Sequence, residues 1–261
     1  MEALAILDGR VMPAAQATIS VTDEGLLRGD GVFEVIRLYA GVPYALEEHL
    51  ARIARSAANL RLELSSVVLR ADIAALLAEA GPVDAALRVL VTRGGRRIGL
   101  IEPLKQLPPT IALATVAYAP TRVMDGVKSL SYAANMLTRR LAVEQGADDA
   151  LLLTPHGRVL EGPTAAFFAV LDGALVTPPL SDHILDSITR RKVMEVSDAR
   201  EQVLTRDDLP NLAEAFLAST LREVHPVHAI DGAALPAAPG PRTAAVAEAV
   251  HARISQELSA P

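Results

Sequence analysis

Strand-like and helix-like stretches alternate irregularly along this chain and are broken once, at the Pro- and Gly-bearing residues 120–126, which read as a linker. That order points to an α+β fold in two lobes, residues 1–119 and 127–261, with no internal repeat. In the first half, residues 11–20 and 32–39 read as strands with Asp30-Gly31 as turn material, and Gly41-Val42-Pro43 as a tight hairpin loop. Leu46, Leu50, Ile53, Ala57 and Leu60 form a helical stripe over residues 46–60, and Glu48 lies one turn before Arg52. Residues 65–80 read as a second amphipathic helix ended by Gly81-Pro82, and 86–92 and 110–118 as strands around a Gly/Arg-rich loop. In the second half, residues 130–146 read as a helix with Leu130, Ala134, Leu137 and Leu141 on one face. Strands at 150–154, 165–171 and 174–177, a helix from about Ser187, further strands to His228 and a last helix over 243–258 complete the order.

At 261 residues the chain is long enough to bury a substantial core. No apolar run reaches the eighteen or so residues of a membrane span, and Met1-Glu2-Ala3-Leu4-Ala5 lacks the basic start of a secretory signal. The absence of cysteine excludes disulfides, thiolate metal sites and a Cys nucleophile, and no metal site is expected. A formal charge of −6 argues against nonspecific nucleic-acid binding. A soluble cytoplasmic protein is expected.

Only three lysines, Lys105, Lys128 and Lys192, stand against 22 arginines. That general shortage fits a genomic base-composition bias and carries no chemistry by itself. Arginine cannot, however, lose a proton near neutral pH and attack a carbonyl as an amine. Lys128, in Gly126-Val127-Lys128-Ser129-Leu130-Ser131-Tyr132, is followed thirty-three residues later by the carboxylate of Leu160-Glu161-Gly162. An amine paired with a distant carboxylate is what a pyridoxal 5'-phosphate site requires.

From Gly29-Asp30-Gly31-Val32-Phe33-Glu34 to Glu223-Val224-His225-Pro226-Val227 the chain resembles the fold-type IV pyridoxal-phosphate enzymes, which include branched-chain and D-amino-acid aminotransferases and aminodeoxychorismate lyase. The resemblance implies a small N-terminal α/β lobe, a larger C-terminal lobe with a mixed sheet or barrel flanked by helices, cofactor in the cleft between them, and a homodimer. Lys128 matches the family's Schiff-base lysine, and Glu161 the carboxylate that pairs with the pyridine nitrogen. Arg52, in His49-Leu50-Ala51-Arg52-Ile53, resembles its phosphate-binding arginine, while His49 reads as a packing or capping residue. Ile184-Leu185-Asp186-Ser187-Ile188-Thr189-Arg190 resembles Leu-x-Gly-Ile-Thr-Arg. There a helix start and Thr189 would meet phosphate and Leu185 would pack on the ring, so Leu185, Ile188 and Thr189 are cofactor-binding candidates. Thr220, in Ser219-Thr220-Leu221-Arg222-Glu223, matches a further phosphate ligand, and Tyr132 a tyrosine that bonds the cofactor's phenolic oxygen. Two departures stand out near the cofactor motifs. Thr164-Ala165-Ala166 replaces a segment that usually carries Asn, and Ser131 stands where Asn is common. In the helix-start motif, Ser187 stands where Gly is usual.

The reaction implied is ping-pong amino transfer between an amino acid or amine and a 2-oxo acid. Arg37, Arg93, Arg96 and Arg97 are the substrate-carboxylate candidates, with Phe33 as an apolar wall and Leu221 beside the substrate. The alternatives are a lyase of the aminodeoxychorismate type, which releases pyruvate and 4-aminobenzoate, and a noncatalytic protein that kept the fold. The Arg-Pro strand pattern of branched-chain enzymes is missing from Leu87-Arg88-Val89-Leu90, and no Arg-x-His carboxylate trap is visible. Donor handedness therefore stays open, (R)-amines included.

Overall fold

The computed structural model describes residues 3–259; Met1 and Glu2 of the N-terminal reading, and the last two residues, lie outside the described residues. Two compact units are formed, one from residues up to Gln106 together with Gly126–Tyr132, the other from Leu107–Asp125 and the chain from Ala133 onward.

The first unit runs β1 (Leu4–Leu7), β2 (Arg10–Pro13), α1 (Glu24–Arg28), β3 (Gly31–Tyr39), β4 (Val42–Pro43), α2 (Leu46–Asn59), α3 (Ser66–Ala80), β5 (Ala85–Thr92) and β6 (Arg97–Pro103). Its antiparallel sheet has the order β2-β1-β6-β5-β3-β4. Alternation along β3 divides its side chains between two faces. Val32, Ile36 and Leu38 join Leu87, Val89, Val91 and Ile101 in a core against Leu50, Ile53 and Ala57 of α2 and Leu69, Ile73 and Leu76 of α3. Phe33, Val35 and Arg37 point to the opposite face. Ser65 caps α3 by accepting the Val68 N–H, and Gly81, at φ +66°, ends it, as the sequence predicts.

The second unit runs β7 (Ile111–Ala117), α4 (Ala133–Glu144), β8 (Asp149–Leu153), β9 (Ala166–Leu171), β10 (Ala174–Thr177), α5 (Ile188–Val196), β11 (Arg200–Glu201), β12 (Leu212–Ser219), β13 (Glu223–Ile230), β14 (Ala233–Ala234) and α6 (Pro241–Ser259). Its sheet is mixed, in the order β11-β10-β9-β12-β13-β7-β8 with β14 on β13; β7 runs parallel to both neighbours. The core holds Phe167 of β9 and Leu217 of β12 among its aliphatics. On the other face Phe168 and Phe216 sit in register and stack, ring centroids 5.0 Å apart and planes within 4°.

Four expectations are corrected. The chain does not change units once at residues 120–126. Residues from Leu107 build β7 into the second sheet, and Gly126–Tyr132 returns to the first unit, so Lys128 belongs there and not to a lobe beginning at residue 127. Residues 97–103, read as loop, form β6, whose Gly99 leaves room for Ile6 and Leu76. The helix expected from Leu130 begins at Ala133, and it buries Thr138 and Ala142, leaving Leu137 and Leu141 exposed. The strand expected over 11–20 is replaced by the short β1–β2 hairpin.

Phe216 is fully buried, so Phe216→Ala is expected to cost about 3–5 kcal/mol. A denaturation curve shifted by less than about 1 kcal/mol would contradict the packing described.

Candidate active site

Lys128 is placed by its backbone. Its N–H donates to Ser56 Oγ at 3.1 Å, its carbonyl accepts the Phe33 N–H at 3.0 Å, and Leu130 N–H donates to the Gly31 carbonyl at 2.9 Å. Residues 128–130 thus pair with the first residues of β3, with Val32 opposite Ser129. No side chain fits at Gly31, where a Cβ would lie 2.5 Å from the Val91 carbonyl and 2.6 Å from Leu130 Cδ1. The Lys128 Nζ lies 4.4 Å from the Phe33 ring centroid and 5.6 Å from that of Tyr132; the two rings meet edge to face at 5.2 Å. Lys128, Phe33 and Tyr132 are therefore brought together, with the amine above two aromatic rings.

Behind this platform, on the core face of β3, sits Glu34, only 1% exposed. Arg52 Nε donates to its Oε1 and Nη2 to its Oε2, both at 2.6 Å, while His49 Nδ1 lies 2.8 Å from Oε2. His49, Arg52 and Ser56 lie along one stripe of α2, so a single helix face serves Glu34 and Lys128. Burial alone would push the Glu34 carboxyl up; the hydrogen bonds and charges of Arg52 and His49 outweigh it and lower it from 4.5 to about 2. Burial lowers the His49 imidazole against the opposing pull of Glu34. Glu34 and Ser56 were not singled out from sequence. The signal available was a carboxylate at an inward position of β3, which demands a cation.

The arginine candidates separate. Arg93 gives Nε and Nη2 to Asp30 at 3.0 and 3.2 Å, and Nη1 and Nη2 to the Arg61 and Leu60 carbonyls at 2.6 and 2.7 Å. Arg96 pairs with Asp8, and Arg97 with Asp72 at 2.7 Å. Each of these three thus has an aspartate partner within the first unit. Arg37 differs: its guanidinium lies 4.9 Å from the Tyr39 centroid, and its buried Nε has no hydrogen-bond partner among the described residues.

In the second unit, Glu161 Oε1 accepts the Leu185 N–H at 3.2 Å, and its backbone carbonyl accepts from Leu152 of β8 at 2.9 Å. Tyr118 stands within its field: burial first, and then the Glu161 charge, raise the phenol. Leu185 leads into α5, where Ser187 Oγ accepts the Arg190 N–H at 3.3 Å. Ser187 has φ −73° and ψ 131°, a conformation open to any residue, so its replacement of Gly introduces no strain. Ile188 and Thr189 are buried, and their amides have no acceptor among the described residues. Ala166 opens β9 opposite Ala218, a site that suits a small side chain. Thr220 and Leu221 occupy the turn between β12 and β13, which an ion pair from Arg222 to the buried Asp149 fastens to β8. Neither member of that pair was picked out in the sequence.

The acid dependence follows from Glu34 and His49. The Glu34 contribution, on the order of 3 kcal/mol, is fully present above about pH 4.5 and is lost as pH falls toward 2. His49 acts in the same direction from about pH 6.5 downward, because the unfolded chain takes up a proton that the folded chain resists. Urea midpoints taken from about pH 7 to about pH 3 are expected to fall, and Glu34→Gln, less stable at neutral pH, to show a shallower fall; parallel profiles would contradict this.

Residues 31–230 match the family of class IV amino-transferases. The chain is 35% identical over 254 residues to a protein of Methanocaldococcus jannaschii assigned as a branched-chain-amino-acid aminotransferase, with 87% of each chain covered. It is 30% identical over 279 residues to the D-alanine aminotransferase of Bacillus licheniformis, covering 97% of this chain and 98% of that one. The PLP-bound form of a hypothetical aminotransferase from Mycobacterium tuberculosis superposes with a TM-score of 0.89 at 26% identity, over 98% of this chain and 99% of that chain. The α+β architecture is that of fold-type IV transaminases. A family match over residues 31–230, together with relatives of this identity and coverage, settles the kinship: the chain belongs to the class IV aminotransferase family.

Proposed function

We propose that this protein is a pyridoxal-phosphate-dependent aminotransferase that moves an amino group from an amino acid to a 2-oxo acid, working as a homodimer in the cytoplasm. The observation that carries the reading is the Lys128 amine, fixed by its backbone and held over Phe33 and Tyr132. The residues present fit the cofactor: an amine for its aldehyde, a carboxylate for its ring nitrogen, and the unaccepted amides of Ile188 and Thr189 for its phosphate. Pyridoxal phosphate, when bound, supplies the electron sink that stabilises negative charge at the substrate Cα.

Lys128 Nζ would hold the cofactor at its aldehyde carbon and, as a free amine, would carry the proton of the substrate Cα. Glu161, fixed by the Leu185 N–H, keeps the ring nitrogen protonated. The α5 amides, Thr189, Thr220 and Arg52 would hold its phosphate, Leu185 would pack on its ring, and Tyr132 would donate to its phenolic oxygen. Phe33 and Leu221 line the substrate. With Arg93, Arg96 and Arg97 committed elsewhere, Arg37 and its unpartnered Nε become the anchor for the substrate carboxylate. The relatives' names favour amino transfer over the lyase alternative. Dimer and location rest on the family resemblance. The exposed Leu26, Leu27, Leu137 and Leu141 are apolar surface for a partner, and among the described residues no helix is long and apolar enough to cross a membrane.

Holoenzyme given L-leucine or D-alanine without an acceptor is expected to convert to the pyridoxamine spectrum with one of them, naming the donor's handedness. Lys128→Ala is expected to slow that conversion by roughly 10²–10⁴-fold. Failure of every amino acid and amine donor to convert the cofactor, or unchanged conversion by the variant, would overturn the reading.

A further inference from the structure

We propose that Glu34, braced by His49, is a positioning residue that orients Arg52 toward the cofactor's phosphate; this rests on the phosphate-binding role given to Arg52 above. Glu34 has no access to substrate chemistry of its own. It is 1% exposed, faces α2 and not the Phe33 side of β3, and both its oxygens are taken by Arg52 and His49. A buried carboxylate of this kind is costly unless its position serves something.

What it serves is visible in the guanidinium. A single hydrogen bond lets that plane swing; two parallel bonds from Nε and Nη2 to the two oxygens of one carboxylate fix it. The direction of the whole guanidinium plane is set with it. His49 closes the set, because its Nδ1 contact at Oε2 stops the carboxylate from rotating about its own stem. Burial of His49 keeps the ring from becoming a competing cation beside Arg52. One turn further along α2, Ser56 holds the Lys128 N–H, so the same helix face that sets Arg52 also sets the reacting amine. Glu34 thereby couples the phosphate end of the cofactor to the position of Lys128 without touching either.

The test compares the apoenzyme's affinity for pyridoxal 5'-phosphate with that for phosphate-free pyridoxal, in the unchanged protein and in Glu34→Gln, His49→Gln, Arg52→Gln and the double variant E34Q/R52Q. Glu34→Gln is expected to weaken pyridoxal phosphate by about tenfold or more while leaving pyridoxal within about twofold, as losing one charge-assisted bond requires. His49→Gln is expected to do the same more weakly, and the double variant to be no worse than Arg52→Gln alone. Glu34→Gln that binds both ligands as the unchanged protein does, or that loses both equally, would overturn the proposal. Should Glu34→Gln fail to fold, His49→Gln decides by the same ratio. An Arg52→Gln protein that keeps the full advantage of the phosphate would instead sink the role given to Arg52, and the proposal with it.

Discussion

The short pairing of residues 128–130 with β3 is the constraint on which the active-site account depends. Two backbone hydrogen bonds to β3 and one to Ser56 locate Lys128, and none involves its own side chain. The Lys128 Cα is thereby held in place by backbone contacts, whatever its side chain bonds. Each such bond contributes only about 1 kcal/mol, yet three on one short segment define a position. β3 is able to host this because it serves two faces. Its even-numbered residues pack on α2 and α3, and its odd-numbered ones offer Phe33 and Arg37. Glu34 is the exception on the packed face, and α2 supplies the Arg and His that make it tolerable.

The second unit contributes by a different device, a helix start. α5 opens with Ser187 as its cap and with the Ile188 and Thr189 amides unaccepted, immediately after the Leu185 amide that fixes Glu161. The amide that fixes Glu161 and the unaccepted amides at the start of α5 therefore come from one continuous stretch of backbone. The departures Ser187 and Ala166 leave this intact. The serine adopts an extended conformation and caps the helix, and the alanine opens β9, paired with another alanine.

Much of this was legible in the sequence where the controlling interactions are local. The stripes of α2 and α3 and the stop at Gly81 follow from spacing within a turn or a strand, and the order of the cofactor motifs from resemblance to a family. The path of the chain between units was not, because β7 pairs in parallel with β13 more than a hundred residues away, and no local pattern announces such a partner. β6 was hidden because it carries apolar residues on both faces and a glycine in the middle, which erases alternation. The partners of the loop arginines were hidden for a related reason. A guanidinium reads the same in sequence whether its carboxylate is a substrate or, as for Arg93, Arg96 and Arg97, an aspartate far along the chain. Of the arginines offered as substrate anchors, Arg37 has a buried donor without a hydrogen-bond partner among the described residues.

The central claim is that Lys128, and no other amine, bonds the cofactor. Reduction of the holoenzyme with borohydride, followed by proteolysis and mass spectrometry of the peptides, tests it most directly. The account predicts a single phosphopyridoxyl adduct on the peptide containing Lys128. An adduct on Lys105 or Lys192, or none on a protein that has taken up pyridoxal phosphate, would contradict it.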